Sequence, residues 1–163
     1  MSMPFRIGFG YDVHQLAPGL TLTLGGVNIP HSKGCVAHSD GDVLIHAVCD
    51  ALLGAAGKRD IGFHFPDTDS KYKGIDSRHL LAEVYNIITE AGYETGNIDV
   101  TVCLQKPKIA QYTDDMCKVL ASEMHVDIGC ISIKATTTEK LGFVGREEGI
   151  AVYAVALIFK REI

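Results

Sequence analysis

Val43, Leu44, Ala47, Val48, Ala51, Leu52 and Ala55 recur at intervals of three and four residues, which predicts a helix with one apolar face that must be covered by other elements. Gly57 stops this helix, and Ser39 with Asp42 has the spacing of a capping box, placing its start at Ser39. A second stripe, Leu80, Leu81, Val84, Ile87, Ile88 and Ala91, ends at Gly92, and Tyr112, Met116, Val119, Leu120 and Met124 suggest a third helix. The covering surface is supplied by strands. Arg6 to His14 reads as extended, Leu20 to Leu24 alternates apolar and polar, and Gly25-Gly26 turns that segment into Val27 to Ile29. Ile98, Val100, Val102 and Leu104 alternate again, and Ile131 with Ile133 marks a further strand. Gly149 to Phe159 is apolar almost throughout, as for a strand buried on both faces, which in so small a chain hints at a subunit interface. Strands interleaved with three helices imply an α/β sandwich.

Residues 1–163 show no repeat, low-complexity tract or linker, so a single domain is expected. With 15 basic against 20 acidic residues the net charge is −5. That balance argues against a nucleic-acid partner held by bulk charge. A polyphosphate ligand would have to be attracted by metal ions, helix N-termini or a few placed cations. No apolar stretch reaches the roughly 18 residues of a membrane span, and Met1 to Arg6 has neither a signal-peptide core nor a transit composition, so a cytoplasmic location is expected. Cys35, Cys49, Cys103, Cys117 and Cys130 are odd in number and lack C-x-x-C spacing, as for reduced thiols.

Four groups of residues carry possible chemistry. Asp12 and His14, two apart on an extended segment, point to the same face about 6.5 Å apart along the chain, from which two ligands can converge on one ion. A turn aspartate beside a half-buried histidine fits the same pair. In His38 to His46, His46 falls one helical turn after Asp42, with Asp50 a turn further. That stripe is either a solvated face with its cap or a ligand with its supporting shell, and a helix start at His38 and Ser39 would offer N–H groups to phosphate. Lys58 to Gly74, carrying Asp60, Asp67 and Asp69, is long for a structureless connection, although its Gly, Pro and Asp content also suits ordinary turns. In Lys134 to Lys140, hydroxyls beside Glu139 suit phosphate oxygens and a hard cation, while Thr136 with Glu139 equally has capping-box spacing.

Taken together, Gly8-Phe9-Gly10-Tyr11-Asp12-Val13-His14, the His38 to His46 run, Asp60-Ile61-Gly62 through Phe65-Pro66-Asp67-Thr68-Asp69, and Lys134 to Arg146 closely resemble the 2-C-methyl-D-erythritol 2,4-cyclodiphosphate synthases of the non-mevalonate isoprenoid route. The similarity covers essentially the whole chain. It implies a mixed β-sheet with helices packed on one face, and a homotrimer with active sites between subunits. It also implies a phosphorus–oxygen lyase that converts 4-diphosphocytidyl-2-C-methyl-D-erythritol 2-phosphate to the cyclic diphosphate and CMP. By position, Asp12, His14 and His46 match the family's zinc ligands, and Glu139 the carboxylate at a second divalent ion, Mg²⁺ or Mn²⁺. His38 and Thr137 resemble the positions credited with stabilising the transition state. Substrate contacts are implied for Asp12, Val13, His14, His38 and Ser39, and for the loop residues Asp60, Ile61, Gly62, Phe65, Pro66, Asp67, Thr68 and Asp69. The cytidine and diphosphate pocket is implied at Leu104, Gln105, Lys106, Pro107, Lys108, Ile109 and Ala110, with Thr136, Thr137, Thr138 and Glu139. Phe143 and Arg146 match residues beside a central cavity that could take an isoprenoid diphosphate. Phe9 and Tyr153 depart from the histidine and the acidic residue frequent at those positions.

Two other functions use the same inventory. A metal-dependent phosphohydrolase would give a linear product carrying solvent oxygen. A non-catalytic trimer would bind isoprenoid diphosphates through Phe143 and Arg146.

Overall fold

A computed structural model describes residues 4–161. Met1 to Met3, read above as part of a leaderless start, lie outside the described residues. In chain order the elements are β1 (Phe5–Pro18), β2 (Leu22–Leu24), β3 (Val27–Ile29), β4 (Lys33–Cys35), α1 (Val43–Ala56), α2 (Ile61–His64), α3 (Ser77–Glu90), β5 (Tyr93–Cys103), α4 (Thr113–Met124), β6 (Ile131–Thr136), α5 (Gly142–Gly145) and β7 (Gly149–Lys160). Five strands form a mixed sheet in the order β4-β1-β7-β5-β6, with only β5 and β6 parallel, and β2 and β3 form a separate hairpin. The helices cover one face, α1 lying across β1 and β7. No helix among the described residues is long and apolar enough to cross a membrane.

The sheet and α1 fit because β1 presents glycine where the helix passes. Gly8 and Gly10 face inward, and a β-carbon at either would overlap the backbone of α1, at Ala51 and Ala47 respectively. Ala47, Ala51 and Ala55 keep the helix side of this contact equally small, so backbone meets backbone over two turns. Leu44, Ile45, Leu52 and Leu53 of α1 are fully buried, and each contributes roughly 1.5–3 kcal/mol through removal from water.

α1 starts later than the capping-box spacing predicts. Gly41 has φ 76°, a left-handed backbone that interrupts helical propagation, and Asp42 is the N-cap, its carboxylate accepting the Ile45 N–H at 3.0 Å. That carboxylate also accepts the N–H groups of Gly25 at 2.9 Å and Gly26 at 2.6 Å in the β2–β3 turn. His38 and Ser39 therefore precede the helix in irregular chain and are not its N-terminus. Of the two readings of Lys134 to Lys140, the capping box at Thr136 and Glu139 is not formed, for a similar reason. Glu139 and Lys140 have φ 52° and 66°, and the Glu139 N–H donates to Thr137 Oγ1 at 3.3 Å. The Lys58 to Gly74 segment is not structureless, since α2 and a 3₁₀ turn at Ser70–Tyr72 lie within it.

β7 differs from the doubly buried strand its composition suggests. Ile150, Val152, Ala154, Ala156 and Ile158 face the helices, whereas Tyr153, Val155 and Phe159 are exposed on the other side. Ile7, Phe9, Tyr11 and Val13 of β1 are exposed beside them, and the Tyr11 and Tyr153 rings meet at a 41° tilt with centroids 5.1 Å apart. The apolar composition of β7 thus reflects two surfaces, one packed under α1 and one open in the single chain. A contiguous apolar face of this kind marks an interaction surface.

Candidate metal centre and flanking clefts

Alternation along β1 places Asp12 and His14 on the inward face after Gly8 and Gly10, where α1 brings down His46 in its first turn. Asp12 Oδ2 lies 3.2 Å from His14 Nδ1 and 3.2 Å from His46 Nδ1. The other Asp12 oxygen accepts the Val13 N–H at 2.9 Å, which turns Oδ2 toward the two rings. Among the described residues these three form a group whose donor atoms could share one metal ion.

The donors fit such an ion. A tetrahedral cation with ligands at about 2.0–2.1 Å needs donor atoms about 3.3 Å apart, close to the two separations found. His14 Nδ1 is buried and has no hydrogen-bond partner despite its proximity to Asp12, as expected of a nitrogen whose lone pair is reserved for a cation. Burial raises the Asp12 carboxyl, but the neighbouring His14 and His46 rings outweigh it and hold the group at about 2. For His46, burial disfavours the charged ring while Asp12 favours it more strongly, so its net shift is upward. The two shifts share one cause, the closeness of the Asp12 carboxylate to an imidazole.

The cluster opens into a cleft of about 320 Å³ lined by His14, His38, Ser39, His46, Ile61, Gly62, Phe65 and Asp67, with Ala37, Tyr72, Ile75 and Leu80 completing the wall. Other loop residues play a structural part nearby. Asp60 caps α2 by accepting the Phe63 N–H at 2.9 Å, and Asp69 accepts the Lys71 N–H at 2.9 Å. Pro66 and Thr68 are not among the lining residues, Thr68 being exposed. Asp50, on the same stripe as His46, accepts the Ile61 N–H at 2.7 Å and ties α2 to α1.

A second hollow, of about 230 Å³, is lined by Leu104, Gln105, Pro107, Lys108, Ile109, Ala110, Ala135, Thr136 and Thr137. Lys106 ion-pairs Glu147 at 3.2 Å, Thr137 Oγ1 donates to Glu139 Oε1 at 3.3 Å, and Glu139 is exposed. Phe143 and Thr138 line a third hollow with Cys103 and Tyr153, and Arg146 pairs with Glu148 at 3.0 Å.

The single chain does not bring the first two clefts together. Val13, Ala151, Cys103 and Thr136 form one row across β1, β7, β5 and β6, so the metal-side and threonine-side residues stand at the same level of the sheet but three strand spacings apart, about 14 Å. Sequence reasoning reached most of both linings but missed Ala37, Tyr72, Ile75, Leu80 and Ala135. Leu80 falls on the apolar stripe of α3 and also reaches the cleft wall. It also missed Asp40 and Ser77, which contact one another behind His46; the Ser39–Asp42 spacing drew attention to the wrong pair.

This layered fold and its three-donor cluster define an α/β protein whose Asp12, His14 and His46 could hold a metal ion at a cleft mouth. The chain belongs to the YgbB family, whose model matches residues 5–159. The 2-C-methyl-D-erythritol 2,4-cyclodiphosphate synthase of Porphyromonas gingivalis is 60% identical over 158 residues, 97% of this chain and 98% of the relative. Among solved structures, the CDP complex of IspF from Plasmodium falciparum is 35% identical with a TM-score of 0.86, covering 99% of this chain and 100% of that one. The bifunctional IspDF of Campylobacter jejuni matches at 44% identity and a TM-score of 0.95 over 99% of this chain, which spans 44% of that longer protein.

Proposed function

We propose that residues 1–163 form one cyclodiphosphate synthase domain that converts 4-diphosphocytidyl-2-C-methyl-D-erythritol 2-phosphate to 2-C-methyl-D-erythritol 2,4-cyclodiphosphate and CMP. The observation that carries this reading is the convergence of Asp12, His14 and His46 at a cleft, in a chain 60% identical to a relative bearing that synthase name. The solved CDP complex supports a cytidine diphosphate as the moiety recognised.

The reaction is an intramolecular phosphoryl transfer. An oxygen of the substrate's 2-phosphate bonds to the β-phosphorus while the bond to the CMP oxygen breaks, and CMP leaves with that electron pair. No protein nucleophile is required, so positioning and charge stabilisation carry the catalysis. Asp12, His14 and His46 would hold Zn²⁺ and Glu139 would help hold Mg²⁺ or Mn²⁺; when bound, such ions would supply Lewis-acid charge to phosphate oxygens. His38 and Ser39, at the cleft wall, donate to phosphate oxygens, and Thr137 donates its hydroxyl from the other side. Ile61, Gly62 and Phe65 confine the erythritol chain; Leu104 to Ala110 with Thr136 hold the nucleotide.

The acting unit is a homotrimer. Two features support it: the exposed apolar face of β1 and β7 and the separation of the two clefts across the sheet. Each active site then takes the metal side from one subunit and the Thr137 side from a neighbour. The protein works in the cytoplasm without a nucleic-acid or membrane partner, and a central cavity near Phe143 and Arg146 takes an isoprenoid diphosphate.

Phosphorus NMR during turnover with Zn²⁺ and Mg²⁺ tests the reading. Stoichiometric CMP and cyclic diphosphate are expected. A linear phosphate carrying solvent oxygen would make the protein a hydrolase, and no product at full metal occupancy would refute catalysis on this substrate.

A further inference from the structure

His46 is held from behind as well as in front. Its Nε2 lies 3.0 Å from Ser77 Oγ, and Ser77 Oγ lies 2.5 Å from Asp40 Oδ1. Ser77 is fully buried at the start of α3. A hydroxyl has one proton to give, and a carboxylate only accepts. The short contact commits the Ser77 proton to Asp40, in the range of a charge-assisted O–H···O⁻ bond. What Ser77 then offers His46 is a lone pair, so the proton in that contact must be carried by Nε2.

The consequence falls on the other ring nitrogen. With Nε2 protonated, neutral His46 has its lone pair on Nδ1, the atom 3.2 Å from Asp12 Oδ2. Two acceptors then face each other, a repulsive arrangement that a cation between them relieves. The backbone fixes the same register: Asp40 Oδ2 accepts the Ser77 N–H at 2.9 Å, Asp40 N–H donates to Ile75 O at 3.1 Å, and Gly74 N–H donates to His38 O at 2.9 Å. Ser39 Oγ, 3.3 Å from Nε2, accepts the Gly41 N–H at 3.2 Å and offers the ring a second acceptor on the same side.

We infer that Ser77 and Asp40 are positioning residues for the metal centre, fixing His46 as the Nε2–H tautomer and presenting Nδ1 as its donor. This rests on reading Asp12, His14 and His46 as a metal site, and not on the reaction catalysed there. The segment that closes the long loop after α2 is thereby joined to the metal ligand through one hydroxyl.

Two measurements test it, neither of them turnover. In ¹⁵N-histidine-labelled wild-type protein loaded with Zn²⁺, long-range ¹H–¹⁵N spectra should show His46 protonated at Nε2 with Nδ1 shifted by the metal. Ligation through Nε2 would overturn the inference without any variant. Second, competition with a chromophoric chelator should show Ser77→Ala binding Zn²⁺ about 10–100-fold more weakly than wild type, with unchanged far-UV circular dichroism. Wild-type affinity in Ser77→Ala would overturn the positioning role alone. A wild-type protein that binds no Zn²⁺ would overturn the metal-site reading and this inference with it.

Discussion

Gly10 of β1 lies directly under Ala47 of α1, with no room for even a methyl group between the strand and the Ala47 carbonyl oxygen. The contact sits next to the metal-site residues, because Asp12 is the next inward position on β1 and His46 precedes Ala47 on α1. Gly10→Ala is expected to force the helix away from the sheet, costing about 1–3 kcal/mol as an overpacked core does, and to weaken metal binding. Urea unfolding and chelator competition check the two effects. A destabilised variant with unchanged metal affinity would show that the strand–helix gap and the cluster are independent.

His46→Ala leaves two protein donors. Zinc content and turnover should fall together, the affinity by more than about 100-fold, beyond the range seen when only supporting groups are lost. Metal analysis after gel filtration reads the first, and CMP release the second. Full zinc occupancy in this variant would remove His46 from the ligand set.

The separation of the clefts across the sheet makes a mixing experiment informative. His46→Ala and Thr137→Ala damage opposite flanks and should each be inactive alone. Co-expressed in equal amounts in one trimer, they should recover about a quarter of wild-type activity, the fraction of interfaces that pair two intact flanks under random cyclic assembly. No recovery in verified mixed trimers would place both flanks of a site in one chain.

Val155 stands at the exposed apolar face and pairs with Phe9 across β1 and β7. A charge there would be buried without a partner on assembly, so Val155→Asp is expected to be a folded monomer by light scattering, with wild-type circular dichroism. A trimer of unchanged stability would exclude this face as the interface.

Asp42 gives the protein a pH-dependent contribution to stability. Burial is the dominant influence and raises its carboxyl from 3.8 to about 6, against the hydrogen bonds from Gly26, Ile45 and Gly25. Because the folded value is raised, the favourable contribution is complete below pH 3.8 and is lost as pH rises through 6. The size is about 3 kcal/mol for a shift of about two units. The stability of the wild type relative to Asp42→Asn should therefore fall by about 2.4 kcal/mol between pH 4 and 7 in urea titrations. A difference that stays constant with pH would refute the shift.

Most of the architecture was legible because its signals are local. The α1 stripe, the Gly57 and Gly92 stops and the β5 alternation depend on neighbours a few residues away. The errors arose where distant chain overrides local spacing. Ser39 and Asp42 have capping-box spacing, but the Asp42 carboxylate is claimed by Gly25 and Gly26 of a hairpin far away in sequence. β7 read as doubly buried because composition does not reveal whether the cover is another element or another molecule. Asp12, His14 and His46 emerged as a ligand set through the resemblance, since neither D-x-H nor a lone helical histidine decides between ligand and filler. Ser77 escaped notice because a buried serine at a helix start is unremarkable until its partner Asp40, 37 residues away, is seen.

β1 carries two interleaved messages. Ile7, Phe9, Tyr11 and Val13 are written for the outer face, while Gly8, Gly10, Asp12 and His14 are written for the inner one. Losing or gaining one residue between them would transpose the two texts, turning aromatic rings into the helix and the histidine into the apolar face. Point changes can be tried along this strand one at a time, but its length is inherited as a fixed quantity, so relatives should differ here by substitution and place their insertions in the loops beyond it.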